Sequence, residues 1–233
     1  MASDYFRFRQ FTVWHDRCAM KVGTDGTLLG AWARGGHRIL DIGTGTGLVA
    51  LMMAQRFSDA QVTAVDIDPQ AVAQARDNVA ASPFAQRLTV LEGDVRLLCA
   101  EPPLYDAIVA NPPYFDNSLC CPDERRTLAR HTATLSYGEL MTAAARLLTD
   151  DGELSVIVPA ECRSLLEGEA ALAGLLKRRH CDVRTTPRKP PRRTLLSFGK
   201  KSLPGIVREE GIIETQPGMR SAWYAELTKD FYL

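Results

Sequence analysis

Asp41-Ile-Gly-Thr-Gly-Thr-Gly47 is the stretch on which the reading of the fold turns. It follows a short strand pattern, Arg38 to Asp41, and precedes a helical pattern over about Gly47 to Phe57, so it reads as a glycine turn leading from strand to helix. Backbone N–H groups at the start of a helix lack intrahelical partners and can face an anion or a polar ligand. Glycines let that backbone come close to it. A dinucleotide-binding turn has the spacing Gly-x-Gly-x-x-Gly. Here the third residue after Gly45 is Leu48, which is the wrong fingerprint for a nicotinamide dinucleotide.

Outward from this turn, short strand patterns alternate with helical ones, as in βαβ units built on a parallel sheet. Gln61 to Asp66 is the next strand, and Pro69 with the spacing of Val72, Ala75 and Val79 marks the following helix. Leu88 to Leu91 and Tyr105 to Ala110 are further strands; the latter stops at Asn111-Pro-Pro-Tyr114, where two prolines forbid continuation of ladder or helix. Ser136 with Glu139 three residues later is a capping box opening a helix to about Leu148. Asp150-Asp-Gly152 turns into a strand over Glu153 to Val158. A helix over about Ala160 to Lys177 and strands near Cys181 to Thr186 and Thr194 to Phe198 follow, the last two as an antiparallel hairpin across Pro187-Arg-Lys-Pro-Pro-Arg-Arg193.

Asp41-x-Gly-x-Gly-x-Gly47 resembles motif I of class I S-adenosylmethionine-dependent methyltransferases. The fold this implies is α/β and Rossmann-like, a mostly parallel seven-stranded sheet with helices on both faces. In that family the acid and the glycine backbone receive the methionine end of the cofactor. Asp66, at the end of the second strand, is placed to accept hydrogen bonds from ribose hydroxyls, and Asp94 matches the acid directed at the adenine amino group, with the Val95 amide beside it.

Asn111-Pro-Pro-Tyr114 resembles motif IV of methyltransferases acting on exocyclic or amide nitrogens, among them adenine N6, guanine N2 and the glutamine amide. Such a nitrogen has its lone pair delocalised into a π system and is a poor nucleophile. The Asn111 side-chain carbonyl and the Pro112 backbone carbonyl can accept its two N–H bonds, align the lone pair and stabilise the developing positive charge. Neither proline carries a competing N–H, and both fix φ. Tyr114 offers a ring for stacking, worth ~1–3 kcal/mol, and an adenine must be unstacked or flipped to reach it. Asn111, Pro112 and Tyr114 are therefore the candidate catalytic residues; Phe115 is a second stacking wall or a core plug.

Met20 to Trp32, read together with both motifs, Arg130-His131, Leu135-Ser136, Val158-Pro-Ala-Glu161 and Leu227-Thr-Lys-Asp-Phe-Tyr232, resembles the bacterial tRNA(Val) adenine-N6 methyltransferase family over nearly the whole chain. The implied substrate is the adenosine beside the anticodon. The implied cofactor contacts are Lys21, Thr24, Asp41, Gly43, Thr44, Gly45, Asp66, Ile67, Asp94, Val95 and Asn111. Residues 1–36 are expected to form a cap segment near the cofactor, ahead of a methyltransferase domain over 37–233, with Thr24 or Asp25 capping a helix over Gly26 to Ala33. Arg125, Arg126, Arg130 and His131 suit phosphates next to a flipped base. A general-base role for His131 is disfavoured, because an exocyclic ammonium product loses its proton readily to water.

The formal net charge of zero conceals a bipolar chain: residues 1–36 carry +2, 37–160 carry −7 and 161–233 carry +5. Lys177 to Lys201 holds ten cations against Asp182 alone, with Arg188, Lys189, Arg192 and Arg193 at the Pro-rich turn, a candidate backbone clamp for tRNA with steep salt dependence. A solvated face is the plainer reading of the same run. The longest apolar run, Leu48 to Ala54, is far short of the about 20 residues of a spanning helix. The N-terminus lacks a signal-peptide pattern, so a cytoplasmic location is expected. Six cysteines without Cys-x-x-Cys spacing imply neither a metal site nor a redox motif. A protein-glutamine methyltransferase is an alternative, although such enzymes usually carry a longer N-terminal helical domain and only about 37 residues precede the first strand. Guanine-N2 modification of rRNA, adenine-N6 modification of DNA and a non-catalytic tRNA-binding module are the other readings.

Overall fold

A computed structural model describes residues 4–17, 21–100, 104–112 and 135–233. In chain order the elements are β1 (Tyr5–Arg7), β2 (Thr12–Trp14), α1 (Thr24–Trp32), β3 (Arg38–Ile42), α2 (Leu48–Arg56), β4 (Gln61–Asp66), α3 (Pro69–Ala80), β5 (Leu88–Glu92), β6 (Tyr105–Ala110), α4 (Tyr137–Leu147) and β7 (Leu148–Pro159). They are followed by α5 (Arg163–Leu172), β8 (Leu176–Arg184), β9 (Arg193–Gly199), β10 (Val207–Ile212), β11 (Glu214–Gln216), β12 (Met219–Arg220) and α6 (Ala222–Thr228).

The main sheet has the order β10-β8-β9-β7-β6-β3-β4-β5. Strands β3 to β7 pair in parallel; β9 runs antiparallel to both β7 and β8, as the hairpin reading expects. The sheet has eight strands where the sequence led us to expect seven. The addition, β10, pairs in parallel with β8 at the sheet edge. Its sequence, Val-Arg-Glu-Glu-Gly-Ile, has no apolar run, and only Gly211 is buried. Trp223 lies over that glycine, so close that a Cβ there would fall 2.3 Å from the ring.

Alternating side chains send the strands into two cores. Ile39, Ala107 and Val109 join Leu28, Leu29, Met52 and Val62 on one face, while Leu40, Ile108 and Ala110 join Leu140, Leu147 and Leu166 on the other. Each fully buried Leu or Ile contributes ~1.5–3 kcal/mol relative to exposure. Phe8 and Val13 from the first residues lie in the same core as the sheet. Helix α1 packs tightly on α2, because a Cβ at Gly26 would come within 2.9 Å of Leu48 and one at Gly30 within 2.7 Å of Met52.

Two local expectations are corrected. Helix α1 starts at Thr24 with Gly23 as its N-cap residue and no side-chain cap. Thr24 and Asp25 are thus inside the first turn, and Asp25 faces Arg193 instead. The helix expected to run to Lys177 ends at Leu172. Gly174 adopts φ +75°, and the bonds Leu175 N–H to Ala170 O and Gly174 N–H to Ala171 O close the helix as a Schellman motif. Strand β8 begins soon after, which places the cationic run Lys177-Arg-Arg179 in the sheet.

Candidate active site

The chain order reverses between β3 and β6, and ligands of open α/β sheets bind beyond the strand ends at such a point. A cleft of about 550 Å³ lies there, walled by the turns after β3, β4, β5 and β6, by Lys21 and Gly23 to Gly26, and by Leu135, Leu140 and Arg193.

The glycine turn follows β3. Gly43, Gly45 and Gly47 have φ of +68°, +55° and +82°, the left-handed region that favours glycine. A Cβ at Gly43 or Gly45 would meet no atom within 4 Å, so the backbone is bare toward the cleft. Asp41, 1% exposed, fastens the turn from beneath: its Oδ2 accepts the Thr44 hydroxyl at 2.6 Å and the Ala50 N–H at 3.1 Å. Burial pushes its carboxyl up to about 7 against the lowering effect of these two bonds, with nearby Asp66 adding to the rise. The Thr44 hydroxyl is therefore committed to Asp41.

Asp66 ends β4. Its Oδ2 accepts the Gly45 N–H at 2.8 Å and its Oδ1 the Asp68 N–H at 3.0 Å, which ties the end of β4 to the glycine turn. Ile67 beside it is 49% exposed and lines the cleft as an apolar surface for a flat ligand. Beyond β5, Asp94 accepts the Arg96 N–H at 2.9 Å at the start of a short 3-10 turn, and the Arg96 guanidinium holds its carboxyl below the usual carboxylate range. Val95 is buried next to it and lines the cleft. Asn111 and Pro112, directly after β6, complete the wall on the far side of the reversal.

Lys21, Thr24, Asp41, Gly43, Thr44, Gly45, Asp66, Ile67, Asp94, Val95, Asn111 and Pro112 thus converge on one cleft. Open backbone at Gly43 and Gly45, and carboxylates at the ends of β4 and β5, fit a cofactor with an amino-acid end, a ribose and an adenine. Tyr114, Phe115, Arg125, Arg126, Arg130 and His131 lie outside the described residues.

The basic tract divides. Arg178 is 5% exposed and donates to the carbonyls of Asp151, Gly152 and Lys201. Arg179 stacks on Trp32 at 3.8 Å and pairs with Glu153 and Glu209. Lys177, Arg184, Lys200 and Lys201 also have acidic partners. Arg193 faces Asp25 in the cleft wall rather than the tip of the turn. Arg188, Lys189 and Arg192 are exposed in the β8–β9 turn, and their side chains have no partner among the described residues. That turn sits beside the end of β7, where Pro159 registers with Arg193.

Arg96, Asp25, Leu135 and Leu140 were not among the cleft residues expected from sequence. No local sequence signal points to Arg96, whose Nη1 lies 2.8 Å from Glu139 Oε1, 43 residues away.

The methyltransferase small domain family matches residues 26–179. The whole chain is 50% identical over 235 residues to the tRNA1(Val) (adenine(37)-N6)-methyltransferase of Phocaeicola vulgatus, covering 99% of that protein. It is 47% identical over 236 residues to the protein of the same name from Bacteroides thetaiotaomicron, again covering all of this chain and 99% of the relative. Among solved structures, one described as a predicted O-methyltransferase from Agrobacterium tumefaciens superposes with a TM-score of 0.66 at 22% identity, over 89% of this chain and 96% of that one. A glycopeptide N-methyltransferase complexed with S-adenosyl-L-methionine gives 0.56 at 12% identity, over 78% and 100%. These structural likenesses speak for the fold of a class I methyltransferase. Full-length identity near one half, on a chain whose motifs meet in a single cleft, carries the closer assignment: the chain belongs to the tRNA1(Val) (adenine(37)-N6)-methyltransferase family.

Proposed function

We propose that this methyltransferase transfers a methyl group from S-adenosylmethionine to N6 of an adenine in RNA, namely the adenosine beside the anticodon of tRNA1(Val) that its relatives are named for. The observation that carries the reading is the position of Asn111-Pro112 at the end of β6, across the fold's reversal from the glycine turn and in the wall of the same cleft.

When bound, the cofactor supplies an electrophilic methyl group on a sulfonium. The protein's part is recognition and alignment. The Gly43 to Gly45 backbone and Asp41 receive the amino-acid end, Asp66 the ribose hydroxyls, and Asp94 with the Val95 amide the adenine. Lys21 and Thr24 close the wall nearest the amino-acid end. The Asn111 carboxamide oxygen and the Pro112 carbonyl accept the two N–H bonds of the target amine, which turns its lone pair toward the cleft and stabilises positive charge as it develops. Tyr114 offers the ring on which the flipped base stacks. The proton leaves to water.

Phosphate contacts come from Arg125, Arg126, Arg130 and His131 in the segment after motif IV, and from Arg188, Lys189 and Arg192 at the β8–β9 turn. The cytoplasm is the place of action that a tRNA substrate implies. No helix among the described residues is long and apolar enough to cross a membrane.

The test is methylation of tRNA1(Val) transcripts by purified protein with labelled S-adenosylmethionine, followed by nucleoside analysis. The reading expects N6-methyladenosine at one position, lost in a transcript that carries guanosine in place of the adenosine beside the anticodon. Label in guanine N2, in DNA or in a protein glutamine would overturn it. Asn111→Ala is expected to abolish transfer while weakening cofactor binding far less.

A further inference from the structure

Asp94 does not stand alone at the adenine end of the cleft. Its Oδ1 accepts the Arg96 Nε at 2.9 Å, and its Oδ2 accepts Nε at 2.8 Å and Nη2 at 2.6 Å, so the guanidinium grips both carboxylate oxygens. The remaining arm, Nη1, donates to Glu139 Oε1 at 2.8 Å. The other Glu139 oxygen accepts the Ser136 N–H and hydroxyl, both at 2.8 Å, in the box that starts α4. Arg146, near the other end of α4, returns the connection by donating to the carbonyls of Val95, Arg96 and Leu98.

The two segments joined by this chain of bonds wall the same cleft. Asp94 is its polar wall at the end of β5; Leu135 and Leu140, at the start of α4, are its apolar wall. Among the described residues Arg96 alone lines both this cleft and a smaller one of about 360 Å³ on the flank of α4. A planar fork bound on both sides fixes direction as well as distance, which a lysine cannot reproduce.

We propose that Arg96 is the positioning residue of the adenine subsite: it orients the Asp94 carboxylate as an obligate acceptor for the adenine amino group and locks the apolar wall of α4 against the same ring. The inference rests on the reading of Asp94 as the partner of adenine. An ionised carboxylate held in one orientation favours a ring that presents N–H donors. It rejects hypoxanthine, which presents a carbonyl oxygen at the same place and leaves two acceptors opposed.

Calorimetric titration of the wild type and variants with S-adenosylhomocysteine and with its deaminated analogue, S-inosylhomocysteine, tests this. The wild type is expected to prefer the adenine ligand by about tenfold or more. In Arg96→Ala the adenine ligand weakens about tenfold and the inosine ligand much less, so the preference collapses. A purely structural role would weaken both ligands alike. Glu139→Gln, which leaves the grip on Asp94 intact, is expected to retain the preference while weakening both. Should Arg96→Ala not fold, Arg96→Lys carries the same comparison, because it keeps the charge without the two-oxygen grip. An unchanged preference in the Arg96 variant, with the preference lost in Asp94→Ala, would overturn the role of Arg96 and leave the cofactor reading standing. An unchanged preference in Asp94→Ala would overturn that reading itself.

Discussion

Asp25 in the first turn of α1 and Arg193 at the first residue of β9 meet in an ion pair, with Nε 2.8 Å from Oδ2. They are 168 residues apart in sequence, and both line the cleft. The pair joins the N-terminal helix to the base of the basic hairpin. With both side chains about a quarter exposed, its removal in Asp25→Asn is expected to cost about 1 kcal/mol, read from urea unfolding. Transfer to tRNA is expected to fall further than this loss of stability explains, since the hairpin is then no longer held to the cleft. Wild-type transfer by the variant would show that the pair is structural only.

The buried Asp41 carboxyl predicts a pH dependence with a definite sign. Burial raises its folded-state value to about 7, so between about pH 4 and 7 the folded chain keeps a proton that the unfolded chain has lost. This group therefore makes stability fall as pH rises through that window. An ammonium bound at the turn favours the carboxylate, so affinity for S-adenosylhomocysteine is expected to increase toward about pH 7 and then level off, with proton release below it. Calorimetry in buffers of different ionisation enthalpy measures the proton directly. Asp41→Asn is expected to flatten both profiles.

Gly45→Ala separates backbone strain from crowding. The new Cβ meets no protein atom, so the stability cost comes from the left-handed φ alone, about 1–2 kcal/mol. The methyl group nevertheless projects toward the cleft, and cofactor affinity is expected to drop about tenfold or more. A variant of reduced melting temperature but undiminished affinity would place the cofactor elsewhere.

Two arginines of one tract are expected to behave oppositely. Arg178→Ala strips three carbonyls of a buried donor and is expected to cost about 3 kcal/mol of stability. Its effect on tRNA binding follows only from unfolding. Arg192→Ala, at the exposed turn, is expected to leave the melting temperature unchanged, weaken tRNA binding and lower the slope of log K against log salt by roughly 0.7–0.9. Equal salt slopes for wild type and Arg192→Ala would remove the turn from the RNA interface.

Legibility of the sequence depended on whether a feature is local. The turn at Gly43 to Gly47 demands positive φ, and only glycine tolerates it cheaply; the Ser136–Glu139 box is complete within four residues. Pro69 stands at the start of α3 as its fixed φ requires. By contrast, the helix stop at Gly174 carried a local signal that the apolar spacing on either side overrode. The strand Val207–Ile212 carried almost none, because it is an edge strand held by pairing to β8 and by Arg179 and Arg184 reaching Glu209 and Glu210.

The α/β frame, the glycine turn, and the acids and Asn111-Pro112 at successive strand ends are legible in the chain alone, because strand ends, turns and caps are set by residues within a few positions of one another. Which charges are free depends instead on the folded arrangement. Lys177 to Lys201 reads as one cationic run, yet folding distributes it among acids and carbonyls on β7, β10, α1 and α5, leaving Arg188, Lys189 and Arg192 exposed at the turn. The same holds for Arg96, whose place between Asp94 and Glu139 exists only once β5 and α4 are side by side. An ion pair requires two groups within a few ångströms, and for partners 43 to 168 residues apart that distance is a property of the fold.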